Sequence, residues 1–162
     1  MERARHDVGL GLDAFAPALG DGFSPARHPR TAALVERAHA AATAPLRAAK
    51  ARFARVRPYD ADERVQPAAA REDTPSYPSG HATRGVLVAR VLAALAPARR
   101  DALLELGRQV GYDRVIAGVH YPSDVLAGQQ LGDAIADALL ATPAFRADLE
   151  AARAAEWSPQ AR

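Results

Sequence analysis

The chain has no cysteine, so no disulfide framework holds it together and thiols say nothing of its redox compartment. No apolar run approaches the roughly 18 residues of a membrane-spanning helix. Aromatic residues make up only 6% of the chain and no long Lys/Arg block accompanies them, which leaves nucleic-acid binding without its usual footprint. A dominant charge is missing too: 21 basic residues face 19 acidic ones, for a net charge of +2. The segment Met1–Asp7 lacks an apolar signal core, so the expected compartment is the cytoplasm unless an export signal is supplied elsewhere. Strand-forming runs are scarce and no internal repeat is evident. What is abundant is alanine, and that favours an all-α fold. With 162 residues the chain is long enough for one domain with a real core.

Periodicity divides the chain. Residues 1–30 are rich in Gly, Pro and charge, with apolar points at Val8, Leu10, Leu12, Phe15, Leu19 and Phe23; they read as an N-terminal arm packed on the body. Residues 31–155 form the helical core and 156–162 a polar tail containing Trp157. A first helix is predicted over 31–42, with Leu34, Val35, Ala38 and Ala42 in register. Thr43 suits the N-cap of a second helix with Pro45 in its first turn, and Val56-Arg57-Pro58 must end it. Lys50 and Arg57 are two turns apart and fall on nearly the same face. They could grip one anion, or belong to a solvated basic face with Arg47, Arg52 and Arg55. Residues 59–77 show no periodicity and form a long loop, placed to cover a pocket mouth.

Pro78-Ser79-Gly80-His81 opens a third helix, with Val88, Val91, Leu92 and Leu95 as its buried stripe. Ser79 and Gly80 at that helix start offer free N–H groups to an anion, and His81 stands beside them. A Ser-capped helix with a surface His is the plainer reading of the same four residues. Pro97 begins a fourth helix bearing Leu103, Leu106 and Val110. In it Gly107 and Gly111 permit close helix approach. A fifth runs from Asp124 to Leu140, with Gly128 and Gly132 spaced alike, and a last one starts at Thr142-Pro143 with Phe145 and Leu149 apolar.

The stretch from Arg114 to Asp124 carries the strongest chemistry. On a continuous helix Arg114 and His120 would point to different sides, since six residues turn about 600°. Gly118 and Tyr121-Pro122 predict a break between the helices, and a break lets both side chains enter one pocket. Asp124 then starts the next helix beside the His120 ring. A carboxylate-held histidine next to an arginine suits reaction at an anion. His6, His28 and His39 lie outside these motifs and read as structural or surface residues.

Taken in order, Lys50…Arg57-Pro58, Pro78-Ser79-Gly80-His81 and Arg114…His120…Asp124 resemble the three-part signature of the type 2 phosphatidic acid phosphatase and vanadium haloperoxidase superfamily. The gaps agree, with 19 residues between Pro58 and Pro78 and 32 between His81 and Arg114. Ser76-Tyr77, His120-Tyr121-Pro122-Ser123-Asp124 and Thr142-Pro143-Ala144-Phe145-Arg146 extend the resemblance to the bacterial class A non-specific acid phosphatases. One departure is Asp113, where that family usually has Ser before the arginine. It would either pair with Arg114 or weaken anion affinity.

The resemblance implies a single-domain helical bundle of about six or seven helices. It also implies an acid phosphatase that hydrolyses phosphate monoesters without a metal, through a phosphohistidine intermediate, with phosphotransfer as a companion activity. Catalytic roles fall to His120, His81 and Asp124, and phosphate binding to Lys50, Arg57, Ser79, Gly80 and Arg114. No cofactor is expected; phosphate, or vanadate as its transition-state mimic, would occupy the site. The implied substrates are nucleotides, sugar phosphates and aryl phosphates, the assembly a homodimer or larger homo-oligomer, and the compartment the periplasm or cell exterior. Nucleic acid and an integral membrane segment are not expected. The competing readings are a vanadium-dependent haloperoxidase, a lipid phosphate phosphatase, and a non-catalytic helical module that binds phosphate.

Overall fold

Alanine-rich segments punctuated by proline fold here into helices, most of which begin at or next to a proline, with α4 starting at a capping serine. In the computed structural model, which describes residues 12–20 and 22–157, there is no strand among the described residues. The order is a 3-10 turn (Leu12–Phe15), α1 (Ala16–Leu19), α2 (Pro29–Phe53), α3 (Pro58–Ala61), α4 (Gly80–Leu95), a 3-10 turn (Pro97–Arg99), α5 (Arg100–Ile116), α6 (Pro122–Ala141) and α7 (Pro143–Glu156). The all-α expectation holds. Among the described residues no helix is long and apolar enough to cross a membrane. Val8, Leu10 and His6 lie outside the described residues.

The middle of the bundle is α4. Its sequence is apolar nearly all round, as a central helix requires, and Leu87, Val88, Ala89, Val91 and Leu92 are fully buried. It packs chiefly on α5 and α6, and also on α2. The glycine pairs make this possible. A Cβ on Gly107 would lie 2.6 Å from Ala89 Cβ, and one on Gly132 would lie 2.4 Å from the Thr83 carbonyl oxygen. Only hydrogen fits at these crossings. Leu12, Phe15, Leu19 and Phe23 of the N-terminal region join the same core.

The first departure from expectation is in α2. The two helices expected either side of Thr43 are one helix of 25 residues with Pro45 inside it. Thr43 does not cap; its hydroxyl donates back to the His39 carbonyl at 3.1 Å. An interior proline costs about 3 kcal/mol in an isolated helix. Here the buried stripe Leu34, Val35, Ala38, Ala42 and Leu46 runs through it in phase, and that continuous packing outweighs the lost hydrogen bond. The second departure follows at the helix end. Ala54 turns left-handed (φ 44°) with its N–H on the Lys50 carbonyl. Arg57 therefore leaves the helix, so Lys50 and Arg57 do not share a helix face.

The polar tail also begins differently. Glu156 and Trp157 fold back onto the start of α2. Glu156 accepts from Arg30 N–H (2.7 Å), Thr31 N–H (3.0 Å) and the Thr31 hydroxyl (2.7 Å). His28, at the N-cap of α2, makes no side-chain cap bond, so this distant carboxylate satisfies the free helix-start N–H groups. Trp157 donates to Thr31 Oγ1 and stacks with Phe23 and His28. His28 is thereby structural, as expected.

Candidate active site

Three breaks in the helical pattern aim side chains at one place. The first is the exit of α2. There Arg57 turns inward and is only 2% exposed. Its guanidinium donates from Nε to Thr74 O (2.9 Å), from Nη1 to Val119 O (3.0 Å), and from Nη2 to Glu72 Oε2 (2.6 Å) and Thr74 Oγ1 (3.2 Å). Lys50 stays on the helix, and its ammonium donates to the Pro75 carbonyl. Burial, then the nearby Arg57 charge, lowers the Lys50 pKa to about 8.

The second break is the start of α4. The Tyr77–Pro78 peptide is cis. Ser79 is the N-cap, its Oγ accepting from Ala82 N–H at 3.3 Å, which leaves the hydroxyl proton to donate elsewhere. The Ser79 N–H donates to the Asp124 carbonyl (2.9 Å), so the α4 start is tied directly to the α6 start. Gly80 and His81 form the first turn beside it.

The third break is the one expected between α5 and α6. The helix ends at Ile116, and Gly118 takes φ +71°, which glycine adopts freely. Val119 N–H returns to Arg114 O (3.1 Å), and α6 begins at Pro122. Arg114, His120 and Asp124 are all buried as a result. His120 Nδ1 lies 3.3 Å from Asp124 Oδ2, and Nε2 lies 3.4 Å from Arg57 Nη1. Asp124 also accepts from the Ser76 hydroxyl, the Tyr121 N–H (2.9 Å) and Arg55 Nη1 (2.7 Å). A carboxylate so supplied takes the proton-bearing side of the imidazole and leaves the Nε2 lone pair facing the cations.

The electrostatics agree with that assignment. Burial opposes the charge on Asp124. The bonds from His120, Ser76 and Tyr121 N–H and the Arg55 charge outweigh it, and its pKa falls to about 2. Burial is also the main reason the His120 pKa is lowered; Arg57 and Lys50 push the same way against the Asp124 bond. The shift favours the neutral ring, the form a nucleophile needs.

Arg57, Arg114, His120 and Asp124 come together as expected, with Ser79 and Gly80 on the adjoining helix start and Lys50 at the edge. Three contributors went unnoticed in the sequence. Arg55, assigned there to the alternative of a solvated face, reaches Asp124 and Ser123 and stacks over the Tyr121 ring at 3.9 Å. Ser76 joins Asp124 to the His120 ring. Glu72 bridges Arg57 and Arg114, with Oε1 3.0 Å from Arg114 Nη2. Of these only Ser76 left a trace, as a residue of the Ser76-Tyr77 pair; nothing separated Glu72 from the other acids of its loop. Asp113, half-buried, accepts from Gln109 Nε2 at 2.7 Å.

An all-helical scaffold here gathers cations and a carboxylate-held histidine around a helix start. Residues 33–147 match the family model described as PAP2 superfamily, and the chain belongs to that superfamily. The acid phosphatase of Zymomonas mobilis subsp. mobilis is 36% identical over 146 residues, covering 88% of this chain and 55% of that protein. The non-specific acid phosphatase of Providencia stuartii is 30% identical over 166 residues, covering 94% and 65%. The lipid A 1-phosphatase of Rhizobium etli is 42% identical over 57 residues, 35% of this chain and 25% of that protein. The chain thus spans 55% and 65% of the length of the first two relatives.

Proposed function

We propose that the protein is an acid phosphatase that hydrolyses small phosphate monoesters through a phosphohistidine intermediate, without a metal. The observation that carries the reading is the His120 ring, held through Nδ1 by Asp124 while Nε2 faces Arg57. Lys50, Arg57 and Arg114 bind the phosphate oxygens, with the Ser79 hydroxyl and the Gly80 N–H from the α4 start. The Nε2 lone pair attacks phosphorus, and the bond to the leaving oxygen breaks as His81 supplies that oxygen with a proton. His81 then takes a proton from water, the water oxygen attacks phosphorus, and the P–N bond breaks to restore His120. The arginine forks match charge that grows on the phosphoryl oxygens in the transition state. An acceptor alcohol in place of water gives phosphotransfer. The names of the relatives support a phosphatase. Resemblance to the exported class A enzymes supports the periplasm, and a homo-oligomer is part of the same reading.

The test is hydrolysis of a panel of phosphate monoesters by the wild type and His120→Ala, with acid-quenched trapping of phosphohistidine. The wild type should show a bell-shaped pH profile with an acidic optimum and keep its activity in EDTA. His120→Ala should lose at least roughly 10³-fold in kcat, as expected when a nucleophile that forms a covalent intermediate is removed. Equal hydrolysis by the two proteins, or abolition by EDTA, would refute the assignment.

A further inference from the structure

Glu72 sits where an anion belongs. Its two oxygens lie 2.6 Å from Arg57 Nη2 and 3.0 Å from Arg114 Nη2. One carboxylate bridging two guanidinium groups uses the donors that two phosphate oxygens would use. Burial disfavours its charge, but Arg57, His81, His120 and Arg114 together outweigh that and lower its pKa. The segment that carries Glu72 is fastened to the site. Its N–H donates to Tyr59 Oη (3.0 Å), Arg57 Nε donates to Thr74 O (2.9 Å), and Lys50 donates to Pro75 O. The Glu72 side chain itself is 31% exposed and lines an open pocket with Asp60, Arg71 and Asp73. It has room to leave the arginines while its backbone stays in place.

We propose that Glu72 is a resident counter-anion that sets substrate choice: a phosphate group reaches Arg57 and Arg114 only by displacing it. The inference rests on the phosphate-binding reading of those arginines. A tethered carboxylate competes at an effective concentration on the order of millimolar or more. A phosphodiester or a simple carboxylate brings one charge and two free oxygens, no more than Glu72 already supplies. A phosphomonoester brings three terminal oxygens and, near pH 7, about −1.5 to −2 charges. Selection therefore arises from a competitor inside the protein as well as from the attractive contacts. A carboxylate that merely held the arginines in place would have the opposite signature, helping phosphate to bind.

Inorganic phosphate binding is measured by calorimetry at pH 7 for the wild type, Glu72→Gln and Glu72→Ala. Removing the charge should tighten phosphate binding about tenfold, the scale of one lost charge-assisted contact. The ratio of kcat/KM for bis(p-nitrophenyl) phosphate to that for p-nitrophenyl phosphate should rise at least about threefold. Unchanged or weaker phosphate binding in both variants overturns the proposal. The binding arm needs no turnover, so the two readings fail separately. A wild type that hydrolyses no monoester while the variants tighten removes only the catalytic reading; hydrolysis without tightening removes only this one. Crystals of the wild type soaked in orthovanadate give a check that needs no variant. Glu72 should have turned away from both arginines, and a carboxylate still bridging them beside bound vanadate overturns the proposal.

Discussion

Lys50 shows what a single residue contributes when its surroundings shift its protonation. An ammonium normally stays charged well above neutral pH, with a pKa near 10.4. Here burial and Arg57 bring it to about 8. Anion binding favours the charged form, so the attraction it supplies is present below pH 8 and disappears as pH rises through that value. Phosphate affinity should therefore fall by up to about tenfold across pH 7–9.5, a step that calorimetry over a pH series would resolve. In Lys50→Arg the cation persists and the step should vanish; a variant that kept the same break near pH 8 would assign it to another group. Asp124 is the opposite case, a carboxylate held at about 2 and so charged over the whole working range.

The helix starts, ends and crossings decide whether those residues meet. Ser79 at the start of α4 and Asp124 at the start of α6 are tied by one backbone bond, and both positions depend on how closely α4 and α6 approach. Gly132 controls that distance. Adding a Cβ at 2.4 Å from Thr83 O must push the helices apart, because the obstacle is backbone and cannot rotate away. Gly132→Ala should cost about 1–3 kcal/mol, as overpacking commonly does, and lower Tm and activity together. Gly22→Ala is the control, since a Cβ there meets nothing within 4 Å. Equal unfolding midpoints for the two variants in urea would show that the crossing tolerates separation. The helix breaks at Gly118 and Pro122 were legible because glycine and the residue before proline carry their backbone preferences wherever they occur. The single helix through Pro45 was not, because the packing that outweighs the proline is contributed by other elements.

At the scale of the molecule, the last turn of α7 closes the bundle onto the first turn of α2. Glu156 stands in for the cap that His28 does not provide, across 125 positions of sequence. Glu156→Ala should lower stability by about 1–2 kcal/mol, the range for losing a helix cap, read from urea unfolding followed by circular dichroism. Because this clamp holds Thr31 in the first turn of α2, 19 residues before Lys50 on the same helix, kcat should stay unchanged. An unaltered unfolding curve would mean that solvent serves those N–H groups equally well. The same clamp accounts for Trp157, which reads as part of a polar tail in sequence and folds onto Phe23 and His28 in three dimensions.

The sequence by itself determined the all-helical class, the glycine-mediated crossings and the segments bearing Lys50, Arg57, Ser79, His81, Arg114, His120 and Asp124. The class and the crossings follow from local backbone preference and apolar periodicity, while the segments stand out as a set through their ordered resemblance to a three-part family signature. The tertiary structure alone decided that Arg55 and Ser76 support Asp124, that Glu72 lies between two arginines, and that Glu156 caps a helix at the far end of the chain. The physical reason is common to all four. Each is a polar side chain whose role is fixed by what stands opposite it in space, and no periodicity or local propensity records that partner.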